Sequence, residues 1–193
     1  MTNFTVSALI PAAGASSRMG SDKTSLRTPG GQTFASYLID FYRDCCCSPV
    51  IVVHNGGTNL NAYESKVVKS VLNHHPEKGR SHSILMGLKE VPPGNACFIH
   101  NIDNPYASKS LFDSLMNTLP LYGYAVPIFG ERRGHPVLLG IQAVEALRNT
   151  AGDFDFREEL QKLKRMEVPF NDERILWNIN TPDDYHEFIR NGR

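Results

Sequence analysis

Thr5-Val6-Ser7-Ala8-Leu9-Ile10, followed by Pro11-Ala12-Ala13-Gly14-Ala15-Ser16-Ser17-Arg18-Met19-Gly20-Ser21-Asp22-Lys23, decides the reading of this chain. A continuous apolar run ended by proline is the pattern of a strand buried on both faces, as in a parallel sheet. The small residues behind it let the backbone turn tightly and approach a ligand closely. Successive backbone N–H groups in such a turn form an anion-binding concavity. Ser16 and Ser17 add hydroxyl donors, and Arg18 offers a planar fork suited to phosphate oxygens. Lys23 is a compact cation able to neutralise charge building up between α- and β-phosphates. Ala12, Ala13, Gly14, Ala15, Ser16, Ser17, Arg18 and Lys23 are therefore the expected phosphate site.

Two familiar phosphate loops do not fit. A Walker A loop has four residues between its glycines, then Lys and Ser/Thr; here five residues separate Gly14 from Gly20, and Ser21 follows. The dinucleotide fingerprint is absent as well, because Ala12 and Ser16 flank Gly14 where glycines are needed.

Outward from this loop, short apolar runs alternate with helical patterns. Val50–His54, Val67–Leu72 and Cys97–Asn101 read as further buried strands. Tyr124–Ile128 and Val137–Leu139 read as strands around a Gly-rich turn, and Met166–Val168 and Ile175–Trp177 as short ones. Helices are expected over Thr33–Cys46, Ser83–Glu90, Lys109–Leu119, Ala143–Arg148, Phe156–Lys164 and Thr181–Ile189, with Phe34, Leu38, Phe41 and Tyr42 on one face of the first. Strand–helix alternation implies crossover connections and a mostly parallel sheet covered on both faces. The expectation is one α/β domain over residues 1–193, a Rossmann-like three-layer αβα sandwich. In such sheets ligands bind beyond the carboxyl ends of the strands, so functional residues should follow strands.

Leu9-Ile10-Pro11-Ala12-Ala13-Gly14-Ala15-Ser16-Ser17-Arg18-Met19-Gly20, then Lys23, resembles the signature L-x-A-A-G-x-S-x-R-M-G-x-x-K of the MobA-like NTP-transferase family. That family includes the molybdopterin cytidylyl- and guanylyltransferases. The resemblance implies a sheet of the nucleotide-diphospho-sugar transferase type and a loop that wraps a triphosphate, with Arg18 and Lys23 touching it.

Asp103 stands just past the fourth strand, where the carboxyl-end rule expects chemistry. One carboxylate sharing Mg2+ with phosphate oxygens suits a hard cation that keeps several waters. The plainer reading is a cap for the helix near Ser108 or an Asx turn before Pro105. The position matches the family's D-x-P metal-binding aspartate. Asn178-Ile179-Asn180-Thr181-Pro182-Asp183-Asp184-Tyr185 is similar to the family's C-terminal metal segment, which puts Asn180 at the second metal position. Asparagine is a weaker oxygen ligand than a carboxylate. Locally, Thr181 reads as an N-cap with Pro182 at N1 and acids in the first turn.

Lys78–Leu88 resembles a stretch that contacts base and ribose, which nominates Ser83 and Gly87. Ser81 is the expected N-cap of that helix. The alternative for Gly87 is helix–sheet packing, because glycine inside a helix costs about 1 kcal/mol. Asn55, after the second strand, is a further base-site candidate. Gly130-Glu131-Arg132-Arg133-Gly134-His135-Pro136-Val137-Leu138 resembles the G-x-x-G-H-P-V-L segment of molybdopterin cytidylyltransferases, with Arg132 and His135 facing an anionic acceptor. This segment points to CTP, while asparagine at position 180 is commoner among guanylyltransferases.

The whole reading is a Mg2+-dependent nucleotidyltransferase. It moves an NMP group, CMP from CTP, to a phosphorylated small acceptor such as molybdopterin and releases pyrophosphate. Arg18, Lys23 and Asp103 carry the chemistry. The same fold also serves guanylyltransferases and sugar- or alcohol-phosphate nucleotidyltransferases, and a nucleotide-binding regulatory module without catalysis is the non-enzymatic alternative. A nicotinamide-dependent oxidoreductase lacks both the glycine fingerprint and an acid after Val50–His54.

Composition agrees. Net charge is zero with 21% charged residues, so nothing favours nucleic acid or an anionic membrane as partner. The apolar runs are strand-sized, and no basic region precedes the first of them as in a signal peptide. Cys45, Cys46, Cys47 and Cys97 do not have zinc-site spacing and read as reduced thiols in a cytoplasmic protein. Partners are the nucleoside triphosphate, the acceptor and an enzyme that supplies the acceptor or receives the product.

Overall fold

The computed structural model describes residues 5–14, 19, 23–56, 65–118, 123–150 and 154–191. The elements run β1 (Val6–Pro11), α1 (Phe34–Asp44), β2 (Val50–His54), β3 (Val68–Leu72), α2 (Gly79–Lys89), β4 (Ala96–Ile99) and α3 (Lys109–Asn117). They continue with β5 (Gly123–Phe129), β6 (Arg132–Arg133), β7 (Val137–Leu139), α4 (Ile141–Arg148), α5 (Phe156–Gln161), β8 (Lys164–Pro169) and α6 (Pro182–Asn191). Single 3-10 turns occupy Lys23–Ser25, Pro76–Lys78 and Glu173–Leu176.

One mixed sheet has the order β3-β2-β1-β4-β7-β5-β6, with β8 parallel to β5. β3, β2, β1 and β4 are parallel, and β7 runs against both β4 and β5. The sheet is thus mostly parallel, with the short β7 and β6 reversed. Strands added after β1 first extend to one side, then α2 returns the chain to the other side as β4. That reversal opens a crevice at the carboxyl ends of β1 and β4.

Two cores cover the faces, sorted by the alternation of strand side chains. Ala8, Ile10, Val52 and Phe98 point to one face, against Phe34, Leu38 and Tyr42 of α1, Leu111 and Phe112 of α3 and Phe188 of α6. Leu9, Ile51, Val53 and Ile99 point to the other, against Ile84 and Leu88 of α2, Val144 and Leu147 of α4 and Phe156 of α5. These are the three layers that strand–helix alternation predicts.

Local signals hold at α1. Thr33 caps it by accepting from the backbone N–H of Ser36 at 3.1 Å. Its far end closes in a Schellman turn: Cys47 N–H donates to Tyr42 C=O and Cys46 N–H to Arg43 C=O, with Cys46 at φ +60. Elsewhere tertiary contacts override local ones. α2 begins at Gly79, ahead of the expected Ser83, and Lys78 rather than Ser81 is its N-cap. Ser81 instead accepts from the N–H of Phe156, tying α2 to α5. Ile175–Trp177, expected as a strand, falls on the 3-10 turn Glu173–Leu176, where Asp172 caps the turn and Ile175 plugs into the core. The helices expected to reach Leu119 and Lys164 end at Asn117 and Gln161.

Candidate active site

The crevice is a cleft of about 280 Å3, room for a small molecule rather than a single ion. Pro11 at the end of β1 and Ala12, Ala13 and Gly14 after it form one wall; Asn101, Ile102 and Asp103 after β4 form the floor. Pro76, Gly79, Arg80 and Ser83 enter from the start of α2, and Lys23 and Asn180 close the other side. A Cβ on Gly14 would meet no heavy atom within 4 Å among the described residues, so no clash with them requires glycine at this point of the wall.

Lys23 joins residues far apart in sequence. Its Nζ donates to Oδ1 of Asn180 at 2.6 Å and lies 3.5 Å from Oδ2 of Asp103. Oδ1 of Asp103 is enclosed, with no hydrogen-bond partner among the described residues. A carboxylate and an amide oxygen converging on one cation are the donors a hard divalent ion takes, completed by phosphate and water.

Asn180 reaches this point through a clamp that sequence reading did not find. Asn104, fully buried, donates from Nδ2 to the C=O of Ile175 at 2.9 Å and of Trp177 at 2.6 Å. Asp103 C=O accepts from Ile179 N–H at 2.8 Å. Asp184 then accepts from the N–H groups of Asn180 and Thr181, while Thr181 Oγ1 accepts from Asp184 N–H. This is a capping box, and Thr181 is the N-cap the sequence indicates. Trp177, Phe34 and Tyr185 pack on Phe188 to hold α6 against α1. Asp103 caps no helix, since Ser108 caps α3 by accepting from Leu111 N–H.

Two histidines stand beyond the floor. His100 is fully buried; its Nε2–H donates to Asn104 C=O and its Nδ1 accepts from the Tyr42 hydroxyl, both at 2.8 Å. Burial pushes its pKa down to about 3. His135 meets Asn101, with its Nε2 3.1 Å from Nδ2 of the amide, and its Nδ1 is enclosed with no partner among the described residues. Burial lowers its pKa to about 4, Asp103 pulling slightly upward and Arg80 downward. Both rings are neutral near pH 7.

Of the expected site residues, Ala12, Ala13, Gly14, Lys23, Ser83, Asp103 and Asn180 line one cleft. Ser83 is held there by Asn73, whose Nδ2 donates to its Oγ at 3.0 Å. Ala15, Ser16, Ser17 and Arg18 lie outside the described residues. Asn55 is exposed after β2 and does not line the cleft. Gly87 does not line it either: a Cβ there would sit 2.2 Å from Cδ1 of the fully buried Leu9, so its glycine is explained by packing of α2 on β1. Arg132 is exposed on the β6 turn, away from the cleft lining, and His135 is one hydrogen bond behind it. Asn101, Asn104 and Arg80 were missed. Nothing in their local sequence distinguishes them from turn and surface residues.

A mostly parallel sheet with a cation-bearing cleft at its reversal point is the architecture of the nucleotide-diphospho-sugar transferase fold. The chain belongs to the MobA-like NTP transferase domain family, whose model matches residues 8–167. It is 25% identical over 187 residues to the molybdenum cofactor cytidylyltransferase of Escherichia coli K12, covering 93% of each chain. Among solved structures, Rv0371c of Mycobacterium tuberculosis H37Rv superposes with a TM-score of 0.79 at 18% identity, over 98% of this chain and 100% of that one. A second structure of Rv0371c contains manganese (TM-score 0.73, 16% identity, covering 96% and 97%). The nucleotidyl transferase Mth528 of Methanothermobacter also gives a TM-score of 0.79, at 21% identity, covering 96% and 98%. Enzymes of this family act on a nucleoside triphosphate and a small acceptor and use divalent metals. No helix among the described residues is long and apolar enough to cross a membrane.

Proposed function

We propose that this enzyme is a single-domain cytoplasmic cytidylyltransferase that moves CMP from CTP to the phosphate of a small acceptor such as molybdopterin. The observation that carries the reading is the convergence of Lys23, Asp103 and Asn180 on one point beside the loop after β1. The E. coli relative and the Gly134-His135-Pro136-Val137-Leu138 segment favour CTP. The amide at position 180 favours GTP as the second reading.

An acceptor phosphate oxygen attacks the α-phosphorus in line, the Pα–O bond to the β-phosphate breaks, and its electron pair leaves on pyrophosphate. A phosphate monoester is largely ionised near pH 7, with a second pKa of about 6, so no side chain need remove a proton. Catalysis is positioning and charge stabilisation. The backbone of Ala12–Gly14 and the side chain of Arg18 hold the triphosphate. Lys23 stabilises charge on the departing oxygens, and Ser83 orients the ribose or base. Asp103 and Asn180 are the residues that would hold Mg2+, which supplies charge neutralisation between the phosphates when bound.

Thermal unfolding with CTP, GTP, ATP and UTP, with and without Mg2+, tests the reading, because a ligand of the folded state raises apparent stability. The expected result is a Mg2+-dependent rise with CTP that Asp103→Ala diminishes. A larger rise with GTP transfers the donor assignment to the guanylyl reading. No rise with any triphosphate overturns the site and favours a nucleotide-free role for the cleft.

A further inference from the structure

A buried carboxamide behind the cleft fixes what a hydroxyl inside it can offer. Asn73 follows β3 and is 1% exposed. Its Oδ1 accepts from the backbone N–H of His75 at 2.8 Å. A backbone N–H can only donate, so this bond sets which way the amide faces. Nδ2 is thereby turned to α2, where it donates to Oγ of Ser83 at 3.0 Å.

The consequence falls on Ser83. A serine hydroxyl has one proton to give and two lone pairs. Asn73 takes a lone pair, and its Nδ2, a donor, cannot accept the proton in return. No other group among the described residues accepts that proton either. Ser83 is 3% exposed and lines the cleft. Buried polar groups are rarely left unpaired, and the space beside this one is the cleft.

Its neighbours on the same wall have the same polarity. No side chain caps the first turn of α2, and the leading N–H groups of a helix lack partners inside it. Gly79 and Arg80 of that turn line the cleft with Ser83, and an arginine side chain carries donors alone. The α2 wall offers hydrogens, which an occupant answers with lone pairs. Cytosine has such an edge in O2 and the bare N3, and guanine in O6 and N7, whereas adenine sets an amino group beside N7.

We propose that Asn73 is a positioning residue that leaves the Ser83 proton free for the cleft, where it is given to a lone pair of the nucleotide base. The cleft thereby selects bases by an acceptor edge. The proposal rests on the nucleotidyltransferase reading above and adds to it a residue that does not line the cleft.

The test measures Kd of the full chain for CTP with Mg2+ by titration calorimetry; a preference for GTP in the thermal panel makes GTP and its 2′-deoxy form the probes instead. Ser83→Ala should raise Kd about tenfold, the effect of losing one hydrogen bond. The same loss is expected with 2′-deoxy-CTP, and a loss confined to CTP puts the contact on the ribose hydroxyl and overturns the base assignment. Asn73→Asp keeps the shape and the bond to His75 N–H. At about pH 9, where a buried carboxyl is mostly ionised, it accepts the Ser83 proton and withdraws it from the ligand. Its penalty should be about fivefold or more larger with Ser83 present than on the Ser83→Ala background. A charge effect or a packing defect acts alike in both backgrounds, so equal penalties overturn the role of Asn73. An unmoved Kd in Ser83→Ala overturns the proposal and leaves nucleotide binding standing. A wild type that binds no triphosphate overturns the nucleotide reading and this proposal with it. Where a variant does not fold, the structure of the wild-type complex with CTP decides. An acceptor atom of the base should stand within about 3.2 Å of Ser83 Oγ, and a donor or a carbon in that place overturns the proposal.

Discussion

Nζ of Lys23 lies 2.6 Å from Oδ1 of Asn180, 157 positions further along the chain. The same ammonium stands 3.5 Å from Asp103, so one cation links the segment before α1, the loop after β4 and the segment before α6. Lys23→Met should cost about 1–3 kcal/mol and still fold, since the Lys23 side chain is only 12% exposed and its removal takes a donor from the Asp103 and Asn180 oxygens. The rate of pyrophosphate release should fall by about a hundredfold or more, the scale for losing one preorganised charge contact. Circular dichroism alongside the assay separates the two effects. A variant that melts early and works at a normal rate per folded molecule contradicts the assignment.

Asn104 should behave in the opposite manner. It touches no cleft space, yet its carboxamide holds both Ile175 and Trp177 carbonyls and its Oδ1 accepts from Tyr106 N–H. Asn104→Ala takes a donor from both carbonyls; that of Ile175 keeps the N–H of His135 at 2.9 Å, while that of Trp177 loses its side-chain donor, at a cost of about 1–3 kcal/mol. Urea unfolding should show the loss directly. At temperatures where the variant stays folded, its Mg2+ requirement should rise, because Asn180 is no longer fixed.

Cys46 closes α1 in a left-handed conformation that costs an L-residue about 1–2 kcal/mol. Glycine adopts it without that strain but loses more chain entropy on folding. The net expectation for Cys46→Gly is a gain of about 0.5–1 kcal/mol in denaturant midpoint analysis, with unchanged activity. Loss of stability would mean that the thiol makes a packing contribution its exposed position does not suggest.

Acid should weaken the fold through its buried histidines. His100 and His135 have folded pKa values pushed down to about 3 and about 4 by burial, against an ordinary value of about 6.5. Below pH of about 6.5 the unfolded chain binds protons that the folded chain refuses, so stability falls as pH drops toward 4. Each group contributes up to about 1.4 kcal/mol per pH unit in that window. Urea midpoints at pH 7 and 4.5 should differ clearly. His135→Asn should flatten part of the dependence, and identical midpoints would contradict neutral burial.

The sequence by itself determined what local pattern can encode. The β1 run, the turn of small residues behind it, the Thr181 cap and an acid after β4 are each set by a few adjacent residues. Periodicity then gave the layers, since alternation along β1, β2 and β4 decides which side chains meet which helices. Tertiary structure decided everything that depends on register. The reversal of β7 brings His135 to Asn101, the 3-10 turn at Ile175 replaces a strand, and Gly87 answers to Leu9 rather than to the cleft. Asn101 and Asn104 resemble ordinary turn asparagines in sequence. They differ because one lines the cleft and the other is sealed under the C-terminal segment, and burial arises only when distant segments pack.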